Sequence, residues 1–172
     1  RGRVIAWDGT ANVTECVARA FGKVERYGFF HESFWRIEDV KYEPERTSWK
    51  VLRDGKPWGE FSFSLAGEYN VLNATAAAAL ASGYSITADQ IADALASFRS
   101  VKRRLEVKAD VNGVLIIDDF AHHPTAIAET LKAIRLRYPG RRIWAVLEPR
   151  SNTLRRNVFQ HELARSLAQA EE

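Results

Sequence analysis

The chain has no methionine and only one cysteine, Cys16. A single thiol excludes an internal disulfide framework and any multi-cysteine metal site, and it suits a reducing compartment. Long apolar runs are missing too. No stretch approaches the roughly 20 apolar residues that cross a bilayer, and the opening RGRVIAWDGT lacks the apolar core of a secretory leader. The expected location is the cytoplasm. Charge of one sign is scarce: 25 Lys and Arg against 22 Asp and Glu leave +3 over 172 residues. The densest basic cluster, Arg135 to Arg142, holds four arginines in eight residues, with no alternating aromatics to stack bases. A nucleic-acid interface is therefore disfavoured against ordinary solvated surface. With no initial methionine and a helical pattern running up to Glu172, the chain is expected to be a piece of a longer protein.

What is present is enough for a core, since 46% of the residues are hydrophobic. Residues 3–7 predict a short strand, and Thr14 to Phe21 a short helix with Val17 and Phe21 on one face. Residues 29–65 predict antiparallel strands. Trp49 and Val51 alternate with polar neighbours, Asp54-Gly55 supplies a turn, and Phe61, Phe63 and Leu65 alternate on the return. Asn73 to Ala81 is a run of small residues that predicts a helix capped by Gly83. A second helix opens at a Thr87/Gln90 capping box, with Ile91, Leu95 and Phe98 on its apolar face. Beyond the basic connector Arg99 to Arg104 the texture becomes strand–loop–helix, twice over. The apolar runs Val114 to Ile117 and Ile143 to Leu147 each end in a polar loop. Helices follow, bearing Ile127, Leu131, Ile134 and Tyr138, then Phe159, Leu163 and Leu167. That alternation predicts a parallel sheet covered by helices, with ligand contacts just past the strand ends. The domain boundary is expected at Ser100 to Leu105.

Three polar clusters sit at such ends. In Gly67-Glu68-Tyr69-Asn70-Val71-Leu72-Asn73, Asn70 and Asn73 lie three apart, and their amides suit the edge of an adenine; the plainer reading is helix capping. In Asp118-Asp119-Phe120-Ala121-His122-His123-Pro124, two carboxylates suit ribose hydroxyls or a hydrated cation. The histidines stand where a helix N-terminus favours phosphate. The plainer reading there is a capped loop, and zinc lacks a third and fourth ligand at a plausible spacing. In Glu148-Pro149-Arg150-Ser151-Asn152-Thr153, the arginine suits a carboxylate, and the plainer reading is again a capping loop.

In their order and spacing, GEYNVLNATAAAALA, FRSVKRRLE, GVLIIDDFAHHPTAI and VLEPRSNT resemble the Mur ligase family, most clearly from Gly67 onward. The resemblance implies an α/β protein: a partial central ATP-binding domain over residues 1–102, followed by a partial Rossmann-like C-terminal domain over residues 103–172. It implies ATP and Mg2+ as cofactors, with Asn70, Asn73, Arg104, Asp119, Phe120 and His122 at the nucleotide. Arg150, Ser151 and Asn152 would bind the incoming amine substrate. DDFAHHPT implies UDP-N-acetylmuramate as the acid. EPRSNT implies the murein tripeptide L-Ala-γ-D-Glu-meso-diaminopimelate as the amine, with L-alanine the alternative. A folylpolyglutamate-type ligase and a non-catalytic nucleotide-binding relative are further alternatives. Tyr69 departs from the family, which often has histidine there, and puts a phosphate or magnesium contact in doubt. No GxxxxGK[ST] phosphate loop is present, so no complete catalytic set is expected in this chain, and no metal ligands. Residues 99–104 are the expected hinge.

Overall fold

The computed structural model describes residues 2–149, 156 and 158–171. The chain packs as two compact units, Arg1–Ser64 with Tyr69–Phe98, and Leu65–Glu68 with Arg99–Glu172. The protein is mixed α/β.

The first unit is built on a five-stranded sheet in the order β1-β2-β3-β4-β5. Its strands are β1 (Arg3–Trp7), β2 (Lys23–Gly28), β3 (Trp35–Tyr42), β4 (Thr47–Arg53) and β5 (Lys56–Phe63). β1 and β2 pair in parallel over five rungs, joined through helix α1 (Ala11–Val17). β2 and β3 also run parallel, but only Tyr27↔Trp35 and Gly28↔Arg36 pair. The chain sidesteps by one strand spacing and continues in the same direction, so the short loop needs no crossover helix. From β3 onward the pairing is antiparallel, as the alternation predicts. Asp54 (φ 52°) and Gly55 (φ 72°) both take the left-handed backbone of a tight two-residue hairpin turn.

One face of this sheet is aromatic. Trp35, Trp49, Val51, Phe61 and Phe63 are each at most 3% exposed. The rings meet edge to face or tilted, with Trp35–Trp58 and Trp49–Phe63 centroids each 4.8 Å apart. Helix α2 (Glu68–Ala81) lays Val71, Ala74, Thr75, Ala78 and Ala79 into the core. Its small side chains allow close approach, and Thr75 accepts a hydrogen bond from the Trp49 indole at 3.1 Å. Glu25, 3% exposed, accepts from the Trp35 indole at 2.9 Å and from Arg3 at 3.2 Å, and pairs with Lys23 at 3.0 Å. Burial raises the Glu25 carboxyl, but the bonds from Lys23 and Trp35 and the charge of Arg3 prevail and hold it below its ordinary value. Arg3 in turn donates to the Ala79 and Leu80 carbonyls at 2.6 and 3.1 Å, which ties the C-terminal end of α2 to β1. Helix α3 (Ala88–Ala96) carries the expected capping box between Thr87 and Gln90 and buries Ile91.

Three local expectations are corrected here. α1 spans Ala11–Val17, capped by Thr10, and Phe21 is fully exposed instead of extending its face. The Thr10 hydroxyl supplies a start three residues earlier than the apolar spacing suggested. α2 starts at Glu68 rather than Asn73, directly after Gly67 (φ 97°), so both asparagines lie inside the helix. Gly83 is not its cap: a single 3-10 turn, Ser82–Tyr84, follows α2, and Ser85 takes the left-handed backbone at φ 60°. Gly83 is instead a point of close approach, because a Cβ there would lie 2.5 Å from the Arg3 guanidinium.

The second unit holds the antiparallel pair β6 (Glu106–Val111) and β7 (Val114–Asp118) and helices α4 (Pro124–Arg137) and α5 (Gln160–Leu167). Asn112 (φ 51°) and Gly113 (φ 80°) close the hairpin. β6 was not anticipated, although Asn-Gly is the strongest short hairpin signal a sequence offers. The core is Ile127, Leu131 and Ile143, with Ile134, Ala145, Leu147, Leu163 and Leu167 packed against it. The second strand expected at residues 143–147 is not formed: the segment is irregular and only half-buried, with Ile143 8% and Val146 97% exposed. It joins no ladder among the described residues, so the parallel pairing expected in this unit is not formed. A cavity of about 640 Å³ separates it from the inner side of β7, Leu115 and Ile117. Its side chains anchor on the helices, while its backbone stays out of reach of β7.

Candidate functional site

The densest polar constellation of the second unit joins residues 103–106 to the loop after β7. The Glu106↔Asp118 rung lays the two segments side by side. Asp119 then bridges them: one carboxylate oxygen accepts the Leu105 N–H at 2.8 Å, and the other accepts the Ala121 N–H at 2.8 Å and the Thr130 hydroxyl at 3.4 Å. The Phe120 N–H donates to the Arg103 carbonyl at 2.9 Å, and the Arg103 N–H donates to Glu106 at 2.8 Å. The Arg103 guanidinium lies 3.5 Å from Asp118 and stands over the Phe120 ring, 5.0 Å from its centroid. A hydrogen bond from Lys108 and the Arg103 N–H hold the Glu106 carboxyl below its ordinary range.

Arg103 (φ 60°) and Leu105 (φ 48°) both adopt the left-handed conformation that non-glycine residues avoid. Each costs about 1–2 kcal/mol and persists only where surrounding bonds over-determine it. The bonds from Asp119, Phe120 and Glu106 do so here. This is a tightly specified bend, and it presents Phe120, 48% exposed, and the exposed His122 to solvent.

The structure separates pairs of residues that the sequence leaves equivalent. Of the two histidines, His123 caps α4, its Nδ1 taking the Thr125 N–H at 3.3 Å, and its ring meets Phe159 edge-on at 5.2 Å. Pro124 has no N–H and the Thr125 N–H is taken by His123, so two early donor positions of α4 are unavailable to an anion. His122 lies with Nδ1 2.9 Å from the Phe120 carbonyl; as a donor there, a neutral ring keeps Nε2 as an acceptor. Of the two arginines, Arg103 is engaged by Asp118 and Phe120, whereas the exposed Arg104 guanidinium has no partner among the described residues. On α2, neither asparagine is a cap: Asn70 is half-buried and Asn73 exposed, one turn apart, and Tyr69 beside them is half-buried. Arg150, Ser151 and Asn152 lie outside the described residues; the preceding Glu148 and Pro149 are exposed. Among the described residues no three His, Cys, Asp or Glu side chains converge on a metal-sized site. Thr130 and Arg103 went unrecognised. Thr130 lies eleven residues from Asp119 with no motif around it, and Arg103 is hidden in an Arg-Arg pair.

Residues 103–172 match the family described as Mur ligase, glutamate ligase domain. Over its whole length the chain is 40% identical to the UDP-N-acetylmuramate–L-alanyl-gamma-D-glutamyl-meso-2,6-diaminoheptandioate ligase of Escherichia coli (strain K12), 37% of which it covers. Over 67% of its length it is 40% identical to the UDP-N-acetylmuramate–L-alanine ligase of Roseiflexus sp. (strain RS-1), covering 26% of that protein. The crystal structure of a murein peptide ligase from Psychrobacter arcticus 273-4 superposes with a TM-score of 0.67 at 31% identity, over 99% of this chain and 36% of that one. The chain thus spans little more than a third of the Escherichia coli relative.

Proposed function

From a chain that belongs to the Mur ligase family, we infer part of an ATP-dependent ligase that joins the tripeptide L-Ala-γ-D-Glu-meso-diaminopimelate to UDP-N-acetylmuramate in peptidoglycan recycling. In this reading residues 1–102 are the end of the central ATP-binding domain and residues 103–172 the start of the C-terminal domain. The tripeptide is preferred over L-alanine on the Glu148-Pro149-Arg150-Ser151-Asn152-Thr153 segment alone, since relatives of both kinds match nearly the whole chain.

The reaction has two steps. The lactyl carboxylate of UDP-N-acetylmuramate attacks the γ-phosphorus of ATP and ADP leaves. The peptide amine then attacks the acyl carbon of the acyl phosphate, phosphate leaves with the C–O bonding pair, and the nitrogen gives up a proton. Catalysis of this kind rests on positioning and on neutralising the transferred phosphoryl group. This chain's share is nucleotide positioning. Asn70 and Asn73 would hold the adenine edge, and Asp119 the ribose hydroxyls. Each Asp119 oxygen already serves the protein, but a carboxylate oxygen accepts more than one bond. Phe120 would lie against the base, with Arg104 and His122 meeting the nucleotide. Arg150, Ser151 and Asn152 would receive the peptide. Magnesium bound with the ATP phosphates would supply charge neutralisation at the transferred phosphoryl group.

The observation that carries this reading is the clipped bend that leaves Phe120 and His122 exposed and the Arg104 guanidinium without a partner among the described residues. The test is phosphate release by the full-length parent with ATP, magnesium and UDP-N-acetylmuramate, comparing tripeptide with L-alanine and wild type with Arg104→Ala. The Arg104 guanidinium has no partner among the described residues, so the variant should melt with the wild type while its KM for ATP rises about tenfold, the worth of one charge-assisted contact. An unchanged KM removes Arg104 from the site. Turnover only with L-alanine moves the parent to the other ligase, and turnover with neither favours a non-catalytic relative. The isolated chain, which has no phosphate loop, should form no amide; amide formation by it would overturn the assignment.

A further inference from the structure

We propose that Arg103 is a positioning residue that holds the Phe120 ring in the pose from which it would meet the nucleotide; this rests on the reading above. The Arg103 guanidinium spends both its chemistries on the loop, the charge on Asp118 at 3.5 Å and the flat face on the Phe120 ring at 5.0 Å. Only a planar cation does both at once; a lysine ammonium keeps the pairing and loses the stack. His122 meets the same ring edge-on at 5.0 Å. An aromatic ring 48% exposed would otherwise be free to change rotamer. The backbone supports the same purpose. The Arg103 carbonyl receives the Phe120 N–H at 2.9 Å, and the residue accepts a φ of 60° to do so. A conformation that arginine adopts at a cost, kept by bonds to one loop, is the mark of a residue whose place matters more than its comfort. The pair Arg103-Arg104 thereby divides its work: one arginine orders the loop, and its neighbour is left for the ligand.

It follows that residues 103–106 move with the loop. Any hinge lies before Arg103, within residues 99–102, a narrower span than residues 99–104.

The experiment uses the full-length parent carrying Arg103→Asn or Arg103→Lys. Asparagine tolerates the left-handed backbone, so a general loss of fold is not expected, and an unchanged thermal midpoint would confirm it. Hydrogen exchange at the Phe120 and Ala121 amides is measured without nucleotide, and KM for ATP and kcat are measured separately. Both variants should exchange faster at these amides. Arg103→Asn should raise KM for ATP by about tenfold, the combined worth of a stack and an exposed ion pair, and Arg103→Lys by about threefold, the worth of the stack alone. In both, kcat should change less than about twofold because the reacting phosphate is not touched. Unchanged exchange overturns the latch. Full rescue by lysine overturns the stacking role and leaves charge alone. Faster exchange with an unchanged KM leaves the latch standing but removes the loop from the nucleotide, which sinks the functional reading and the positioning role with it.

Discussion

Replacing Glu25 with glutamine tests how the first unit holds together. The site is 3% exposed, and the carboxylate serves three donors: the Trp35 indole at 2.9 Å, Arg3 at 3.2 Å and Lys23 at 3.0 Å. Glutamine keeps the shape but turns one acceptor oxygen into a donor that must face either Lys23 or the Arg3–Trp35 side. Breaking a buried ion pair costs about 3–5 kcal/mol when the surviving charge is stranded. Here it is not fully stranded. The Arg3 side chain is 22% exposed and keeps the Ala79 and Leu80 carbonyls, while Lys23, 68% exposed, returns to water. The loss should therefore be about 2 kcal/mol, the cost of charge-assisted hydrogen bonds and one misplaced donor. Urea unfolding followed by tryptophan fluorescence measures it, with Trp35 as a reporter in direct contact; with a slope of about 2 kcal/mol per molar, the midpoint should fall by about 1 M.

The same pair of proteins gives a pH test. The folded-state Glu25 carboxyl lies below its ordinary value: burial raises it, and the bonds from Lys23 and Trp35 with the charge of Arg3 outweigh that. A depressed carboxyl contributes its stability fully above the unfolded-state pKa and loses it as pH falls through the folded-state value. Wild type should exceed Glu25→Gln at neutral pH, and the gap should close in acid. A difference under about 0.5 kcal/mol at pH 7, within the range of an ordinary surface change, or a gap that persists undiminished into acid, would refute this account of the buried network.

Thr75→Val should cost about 1–3 kcal/mol, because it strands the Trp49 indole N–H in a core where Thr75 is fully buried; an isoenergetic melt would show that the bond carries nothing. Thr87→Ala removes the capping-box hydroxyl of α3 and should lower stability by about 0.5–2 kcal/mol, with faster exchange of the Gln90 amide as the local sign. Protection of that amide at the wild-type level would mean the cap is replaced by solvent without loss.

Much of the fold was legible because it is set by neighbours along the chain. Alternation at Trp49 and Val51 and again at Phe61 and Phe63 needs one buried face, Asp54-Gly55 needs a left-handed turn, and Thr87 with Gln90 is a local hydrogen-bond circuit. The same holds for α4, where Pro124 and the spacing of Ile127 and Leu131 mark start and face together. Where the reading failed, distant parts decided. An apolar run at 143–147 specifies an extended buried segment, but whether its backbone joins β7 depends on packing that no window of sequence contains. Arg3 and Gly83 are eighty residues apart in number and in contact, so the glycine reads as a helix cap until the arginine is seen against it.

The site divides along the same line. Residue chemistry alone determined that carboxylates, imidazoles, an aromatic and a basic pair stand around the end of a strand, and that the order of the motifs is that of a Mur ligase. Only the tertiary structure decided which member of each pair is free. Asp119 clips Leu105 and Thr130, His123 caps a helix, and Arg103 braces a ring, leaving Arg104 and His122 to face outward. Adjacent identical residues have the same propensities and charge. What distinguishes them is the direction the backbone gives each, and at φ values of 60° and 48° that direction is held by bonds from other parts of the chain.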